Sequence, residues 1–255
     1  MSRPWLSVVV PAYNEATGIA LMLEQITRQL DADGRDWELI VVDNASTDGT
    51  PEKIESQLSD PRVRLLRNDA NRGKGFSVRR GMLAARGELR LHCDADCAAS
   101  LVSLPAMLAA IEDGADVVAG SRLAAGASIG RRQPLPRRIV GRSFVDLCRL
   151  VLREPTRDLF CGFKLWRAPA AEAAYGRTRL DGWTFDAETL AMARALGFDV
   201  REQGVVWSDR PGSRLSMARV LVPVVVELVR ARRHVTREAA RAAPLPVVEA
   251  SDTPS

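Results

Sequence analysis

Residues 88–97 read E-L-R-L-H-C-D-A-D-C. The first half has the length and apolar start of a strand, and the second half puts two carboxylates, Asp94 and Asp96, where that strand would end. Like charges this close are unfavourable without a cation between them. Other stretches share the layout of 88–92: L-S-V-V-V (6–10), W-E-L-I-V-V (37–42), V-R-L-L (63–66) and D-V-V-A-G (116–120). Between these runs lie segments with helical spacing near 16–31, 50–59, 74–86 and 101–112. Apolar β-branched runs alternating with helices specify an α/β fold, with a mostly parallel central sheet and helices on both faces.

In such sheets ligands sit beyond the carboxyl ends of the strands. Here the first four strands end in P-A-Y-N-E (11–15), D-N-A-S-T-D-G-T (43–50), N-D-A-N-R-G-K-G (68–75) and D-A-D (94–96). One polar strand end carries little information, but four in succession define a converging site. Asp94 can face a nucleoside while Asp96 ligates a hard divalent cation, Mg2+ or Mn2+, which prefers carboxylate oxygens and keeps positions open for phosphate. G-K-G (73–75) lacks the rest of a phosphate loop, which argues against nucleoside triphosphate hydrolysis. Its glycines either let backbone N–H groups approach an anion or base, or make a turn into a helix. Thr47 or Asp48 can cap the helix that follows, with Pro51 in its first turn. A zinc site at Cys93 and Cys97 would need further ligands. His92 points to the other side of the strand from Cys93, and Cys148 and Cys161 are far away, so the cysteines read as small buried residues.

The chain of 255 residues is long enough for one large domain, and 46% of it is hydrophobic. The reading is a single domain over 1–235, with a nucleotide-binding half at 1–121 and an acceptor half at 122–235. Within the second half, 126–136 reads as a Gly/Pro loop, 137–152 as a helix with arginines on one side, 184–196 as a helix and 199–206 as a strand. Residues 215–233 form a candidate basic amphipathic helix, and 236–255 has the composition of a disordered tail. No run approaches the roughly 20 apolar residues of a spanning helix, and the short apolar start is broken by Pro11. With no export signal, the four cysteines are expected as reduced thiols in a cytoplasmic protein.

The net charge of +4 is concentrated locally: 122–153 carries eight arginines against Asp146 alone. Such a cluster fits an anionic partner or a solvated basic face. Nucleic acid is disfavoured because no aromatic residues interleave with the basic ones.

Taken together, V-V-V-P-A-Y-N-E, V-V-D-N-A-S-T-D-G-T, N-R-G-K-G-F-S-V-R-R-G-M, D-A-D, V-V-A-G-S-R, D-L-F-C-G-F-K-L-W, W-T-F-D-A-E and V-W-S-D-R-P-G-S-R-L resemble family 2 glycosyltransferases of the GT-A fold. More narrowly, they resemble the dolichyl-phosphate mannose synthase and dolichyl-phosphate glucosyltransferase group. The resemblance implies a nucleotide-diphosphate sugar donor of the GDP-mannose or UDP-glucose type, a divalent metal and an inverting transfer. Carried over by residue, it implies that Pro11, Tyr13, Glu15, Asp43, Asn44, Gly73, Lys74, Gly75, Asp94, Ala95 and Asp96 border the donor. Asp94 and Asp96 would be the metal pair, and Asp186 and Glu188 would line the sugar-transfer end. Asp96, Asp186 and Arg122 would be catalytic, and Arg122, Lys164, Ser213 and Arg214 would lie near the acceptor phosphate. Asn44 stands where relatives often have Asp, and Ala98 where they often have a polar residue.

For a polyprenyl phosphate acceptor, Arg131, Arg137 or Arg138 would grip the anionic head. The apolar sides of 139–152 and 220–229 would meet lipid, with Arg230, Arg232 and Arg233 on anionic headgroups, giving peripheral contact at the cytoplasmic face of a membrane. A phosphate acceptor is already ionised near neutral pH, whereas a sugar hydroxyl needs a base, for which Asp186 is the candidate. A soluble acceptor and a non-catalytic nucleotide-sugar-binding protein remain as alternatives.

Overall fold

A computed structural model describes residues 3–56, 58–95, 101–130, 135–207 and 221–242. The large sheet has the order β3-β2-β1-β4-β7-β5-β8. Its strands are β1 (Leu6–Ala12), β2 (Trp37–Asp43), β3 (Val63–Arg67), β4 (Leu89–Cys93), β5 (Val117–Ser121), β7 (Phe163–Arg167) and β8 (Val200–Gly204). A second, two-stranded sheet pairs β6 (Ser128–Ile129) with β9 (Val206–Trp207). The helices are α1 (Ile19–Asp33), α2 (Thr50–Glu55), α3 (Lys74–Ala84), α4 (Leu104–Glu112), α5 (Leu135–Leu152), α6 (Ala168–Tyr175), α7 (Phe185–Ala195) and α8 (Leu221–Arg241).

Side chains alternate across the sheet with the period of a strand. Val8, Val10, Leu39, Val41, Leu91 and Leu165 face α1 and α4, while Val9, Ile40, Val42 and Trp166 face α3, α6 and α7. Both faces are therefore apolar, as a covered parallel sheet requires, and each fully buried aliphatic side chain contributes roughly 1.5–3 kcal/mol.

The predicted strands and helices are present with shifted ends. The helix expected from 101 begins with a 3-10 turn over Leu101–Ser103 before α4. The 199–206 strand is two strands, β8 and β9, and the 126–136 loop contains β6. Helix α8 runs through Arg241, so helix occupies 236–241, where a disordered tail was expected. Residues 215–220 and the tail beyond 242 lie outside the described residues.

Two elements were not anticipated, α6 and β7, and β7 is the one that shapes the site. It runs antiparallel to both neighbours, between β4 and β5. Its pattern, F-K-L-W-R, carries a lysine and an arginine and gives no continuous apolar run. Because β7 runs backwards, its first residues arrive where β4 ends: Phe163 pairs with Cys93 and Lys164 with His92. By strand alternation His92 and Lys164 then share the face covered by α7.

Candidate active site

The carboxyl ends of β1, β2 and β4 meet where β1 has neighbours on both sides, the position at which open parallel sheets bind ligands. The loops after β1 and β2 are tied to each other. Asn14 N–H donates to Ser46 Oγ (2.9 Å), Thr47 N–H to Asn14 Oδ1 (2.9 Å), Glu15 N–H to Thr50 Oγ1 (2.9 Å) and Ala16 N–H to Asp48 Oδ2 (3.1 Å). Asn14 and Ala45 take φ of 54° and 61°, a conformation stabilised here by the surrounding hydrogen bonds. Tyr13 stands 46% exposed at this edge, while Pro11 is buried within β1. The cap position of α2 falls to Gly49, in the left-handed region, in place of the expected Thr47 or Asp48. Asp48 instead joins the two loops. Burial opposes its ionisation, but the Thr50 hydroxyl and several backbone N–H groups outweigh that and lower its pKa.

Asp43 is fully buried at the end of β2. Its Oδ1 accepts from Ser46 N–H (3.2 Å), while among the described residues Oδ2 has no hydrogen-bond partner and lies 3.6 Å from Arg67 Nε. The neighbouring Asn44 is not available to a base edge. Its Oδ1 accepts from Asn68 Nδ2 (2.9 Å) and Arg72 N–H (3.1 Å), and its Nδ2 donates to Asn71 Oδ1 (2.8 Å). The amide thus organises the turn that leads into G-K-G.

That turn is built for close packing. A Cβ on Gly73, whose φ is 95°, would sit 2.2 Å from Asp181 O, and Gly75 N–H donates to the same oxygen (2.8 Å). The glycines therefore bring α3 against the backbone at 180–182, and the Gly75 amide is not free for an anion. Between them Lys74 reaches to the end of β4.

There Lys74 Nζ lies 2.6 Å from Asp94 Oδ1, and His92 Nε2 lies 3.2 Å from the same oxygen. Asp94 N–H donates to Gly162 O (2.9 Å), and a Cβ on Gly162 would fall 1.9 Å from Asp94 Oδ2, so only glycine fits beneath this carboxylate. Burial disfavours a charged Asp94, but Lys74 and His92 reverse this and hold its carboxyl far below the usual range. Burial lowers the pKa of His92 in spite of Asp94, which favours the neutral ring. Ala95, expected against the donor, is packed into the core instead.

Three further residues expected at the site are placed in the interior. Lys164, assigned to acceptor phosphate, is buried: its Nζ donates to Asp186 Oδ1 (2.7 Å) and Cys161 O (2.6 Å). Asp186, the candidate base, is buried in that same pair, with His92 Nδ1 3.8 Å away. Glu188, expected at the transfer end, is fully buried and accepts the N–H groups of Arg179 (2.9 Å) and Leu180 (2.8 Å), so it anchors the 179–181 backbone. Burial raises its pKa against those two donors.

Arg122 makes a bidentate pair with Asp158, Nε to Oδ2 at 2.7 Å and Nη2 to Oδ1 at 2.7 Å, and its guanidinium carbon lies 4.8 Å from the centre of the Trp207 ring. Burial works against both charges, yet the pairing raises Arg122 and lowers Asp158. Cys93, Cys148 and Cys161 are buried thiols with no disulfide among the described residues, and burial pushes Cys148 and Cys161 up to about 12. Asp96, Cys97, Ala98, Arg131, Ser213 and Arg214, together with the side chains of Arg137 and Arg138, lie outside the described residues.

The glycosyl transferase family 2 model matches residues 7–174. The chain belongs to glycosyl transferase family 2. A dolichyl-phosphate beta-glucosyltransferase of Trichomonas vaginalis is 32% identical over 240 residues, covering 89% of this chain and 71% of that one. One from Saccharomyces cerevisiae is 30% identical over 247 residues, covering 88% and 73%. Among solved structures, glucosyl-3-phosphoglycerate synthase from Mycobacterium tuberculosis, in complex with Mn2+, UDP-glucose and phosphoglyceric acid, superposes with a TM-score of 0.65 at 17% identity, covering 90% of this chain and 79% of that one. The fold of this glycosyltransferase is accordingly GT-A.

In this family 2 enzyme the expected residues divide into two groups. Asp43 and Asp94 stand at the ends of β2 and β4, on either side of β1, with Lys74 at the start of α3 reaching Asp94, whereas Asn44, Gly73, Gly75, Lys164, Asp186 and Glu188 hold these groups in place. His92, Asp158, Gly162 and Asp181 have roles that went unassigned in the sequence. The signal for His92 was its alternation with Cys93, and for Gly162 its place in C-G-F-K. Among the described residues no three metal-ligating side chains converge. Asp94 supplies the hard oxygen chemistry a divalent ion prefers, with Oδ1 already engaged by Lys74 and His92.

Proposed function

We propose that this enzyme transfers glucose, with inversion, from UDP-glucose to a dolichyl-type polyprenyl phosphate. The named relatives support both the sugar and the acceptor. The structural observation that carries the acceptor is the position of Asp186. A sugar hydroxyl would need a general base, and the carboxylate expected for that task is buried and ion-paired to Lys164. A phosphate monoester acceptor arrives ionised and needs no base.

The chain's own residues prepare the donor site. Asp43 has an unpartnered buried carboxylate oxygen that suits a nucleoside donor group. Asp94, held by Lys74 and His92, presents a fixed negative group at the β4 end, and Lys74 adds a positive charge beside it. Mg2+ or Mn2+ bound by Asp96 with Asp94 would neutralise charge on the departing diphosphate. Holding the donor and acceptor in line would then supply much of the acceleration.

The acceptor's tail requires a lipid surface. Helix α8 exposes Val226 and Val229 together with Arg230 and Arg233, and α5 exposes Leu150. This mixture fits peripheral contact with the anionic cytoplasmic leaflet. No helix among the described residues is long and apolar enough to cross a membrane.

Incubation with UDP-glucose, Mn2+ and dolichyl phosphate is expected to yield a glucosylated lipid phosphate. Asp96→Asn should abolish it. Transfer to 3-phosphoglycerate but not to the lipid would sink the acceptor assignment. GDP-mannose as the preferred donor would sink the sugar. Co-sedimentation with phosphatidylserine vesicles should fall when Arg230 and Arg233 are changed to Glu.

A further inference from the structure

From the half-buried Lys74 and Asp94 a line of polar groups runs inward to His92, Asp186 and Lys164, which are buried and which no direct donor contact explains. Lys74 Nζ, Asp94 Oδ1, His92 Nε2 and Nδ1, Asp186 Oδ1 and Lys164 Nζ follow one another at 2.6, 3.2, 3.8 and 2.7 Å. Phe185 flanks the imidazole, with ring centres 5.8 Å apart. His92 and Lys164 are cross-strand partners on β4 and β7, and Asp186 comes from the first turn of α7. With a neutral ring the line holds two ammonium groups and two carboxylates, so its charges cancel.

We propose that His92 is a positioning residue for glycosyl transfer, fixing the Asp94 carboxylate through Nε2–H, with the Lys164–Asp186 pair as its charge-balanced support. The proposal rests on the donor reading above. The distances choose the tautomer, since 3.2 Å is within hydrogen-bond range and 3.8 Å is not. Among the described residues Nδ1 has no hydrogen-bond partner. Asp94 thereby gains a second donor on the oxygen that Lys74 holds, and Gly162 closes its other side. The carboxylate is set before any ligand arrives, which is the preorganisation a binding site needs. Lys164 unaccompanied by Asp186 would place a bare ammonium beside the ring and pull Asp94 inward.

Two glutamine-type replacements test the geometry. The amide of His92→Gln reaches the Nε2 position, whereas that of His92→Asn reaches only Nδ1. Calorimetry with UDP-glucose and Mn2+, and with UDP alone, is expected to give near wild-type affinity for the Gln variant and about tenfold weaker binding for Asn. Equal affinities in the two variants would overturn the assignment. Asp186→Asn separates support from base catalysis. As support it weakens UDP-glucose binding and leaves the pH–rate profile in place. Unchanged binding, with turnover lost and the basic limb shifted, would make Asp186 the base and overturn the proposal.

A readout without any donor keeps this independent of the sugar assignment. The chain has two histidines, so His234→Gln isolates the His92 ring for 15N NMR. The ligand-free protein should carry its imidazole proton on Nε2, in slow exchange. A proton on Nδ1 would refute the proposal even if UDP-glucose binds. Failure of the wild-type protein to bind UDP-glucose, with Nε2–H present, would refute only the donor.

Discussion

The two sides of the site are held by different physics. On the β1–β2 side, short loops are cross-linked by single, largely neutral hydrogen bonds: Asn14 with Ser46 and Thr47 close to the surface, and Glu15 with the buried Thr50. On the β4–β7 side charged groups meet wholly or partly out of water: Lys164 with Asp186, both buried, Arg122 with the buried Asp158, and Lys74 with Asp94, both half-buried. The first arrangement can lose a bond and have water replace it. The second cannot, because a buried charge left alone has nothing to solvate it. The front of the donor site should therefore tolerate substitution, and the D-x-D side should not.

The sharpest contrast comes from Lys164. Lys164→Ala leaves Asp186 buried without its partner, and the expected loss is roughly 3–5 kcal/mol in urea unfolding. Replacing both residues, as Lys164→Met with Asp186→Leu, should recover most of that stability. A single variant as stable as wild type would mean that the pair is hydrated and the comparison fails.

Gly162→Ala comes next. The added methyl would lie 1.9 Å from Asp94 Oδ2 and meet a carboxylate rather than a flexible hydrocarbon. Overpacking of this kind costs roughly 1–3 kcal/mol, and here it should also weaken UDP-glucose binding. Gly126→Ala, in the loop between β5 and β6, is a control away from both sides, because among the described residues a Cβ there meets nothing within 4 Å, although its φ of 80° carries a strain of its own. Loss of stability without loss of donor affinity is the control's expected pattern.

The difference also explains what could be read in the sequence. The polar strand ends after β1, β2 and β4 were visible because each motif is contiguous and follows an apolar run. The roles of Lys164, Asp186 and Glu188 were not, because they depend on β7 entering the sheet backwards. F-K-L-W-R has no unbroken apolar run, and nothing local announces that Lys164 will lie opposite His92. Charged motif residues were accordingly assigned to phosphate or sugar when they face one another in the interior. Asn44 was misjudged for a related reason: its partners Asn68 and Asn71 lie on the next strand's loop, and only the fold brings them within reach.

Acid should act on both sides, through Asp48 in the β1–β2 loops and through Asp158 and Asp94 on the other side, all three having lowered pKa values. Asp158 has a folded-state pKa below its unfolded value near 3.9, because Arg122 outweighs burial. Such a group gives its full stabilisation above the unfolded pKa and loses it as pH falls through the folded one. Asp94 behaves in the same way. Stability should therefore be flat from neutrality down to about pH 4 on their account and fall below it. Asp158→Asn should cost roughly 2 kcal/mol at pH 7 and flatten the acid limb. An unchanged acid limb in that variant would separate the Arg122 pair from the stability of the β4–β7 side.

The smallest effect belongs to Asn44→Asp, which restores the residue that relatives often carry. The carboxylate keeps the acceptor role toward Asn68 Nδ2 and Arg72 N–H and loses only the donation to Asn71 Oδ1. One lost hydrogen bond is worth about 1 kcal/mol. Set against that is a new negative charge next to the buried Asp43, whose nearest cation is Arg67 at 3.6 Å. Thermal unfolding at low and high salt distinguishes these contributions, because the lost hydrogen bond is insensitive to salt while repulsion between the two carboxylates is screened. A deficit that shrinks with salt assigns the cost to charge. It would also explain why an amide, rather than a second aspartate, can hold this loop in a site whose other half already contains several buried charges. A deficit of several kcal/mol at any salt would place Asn44 with the unforgiving side of the site and move the boundary between the two regions.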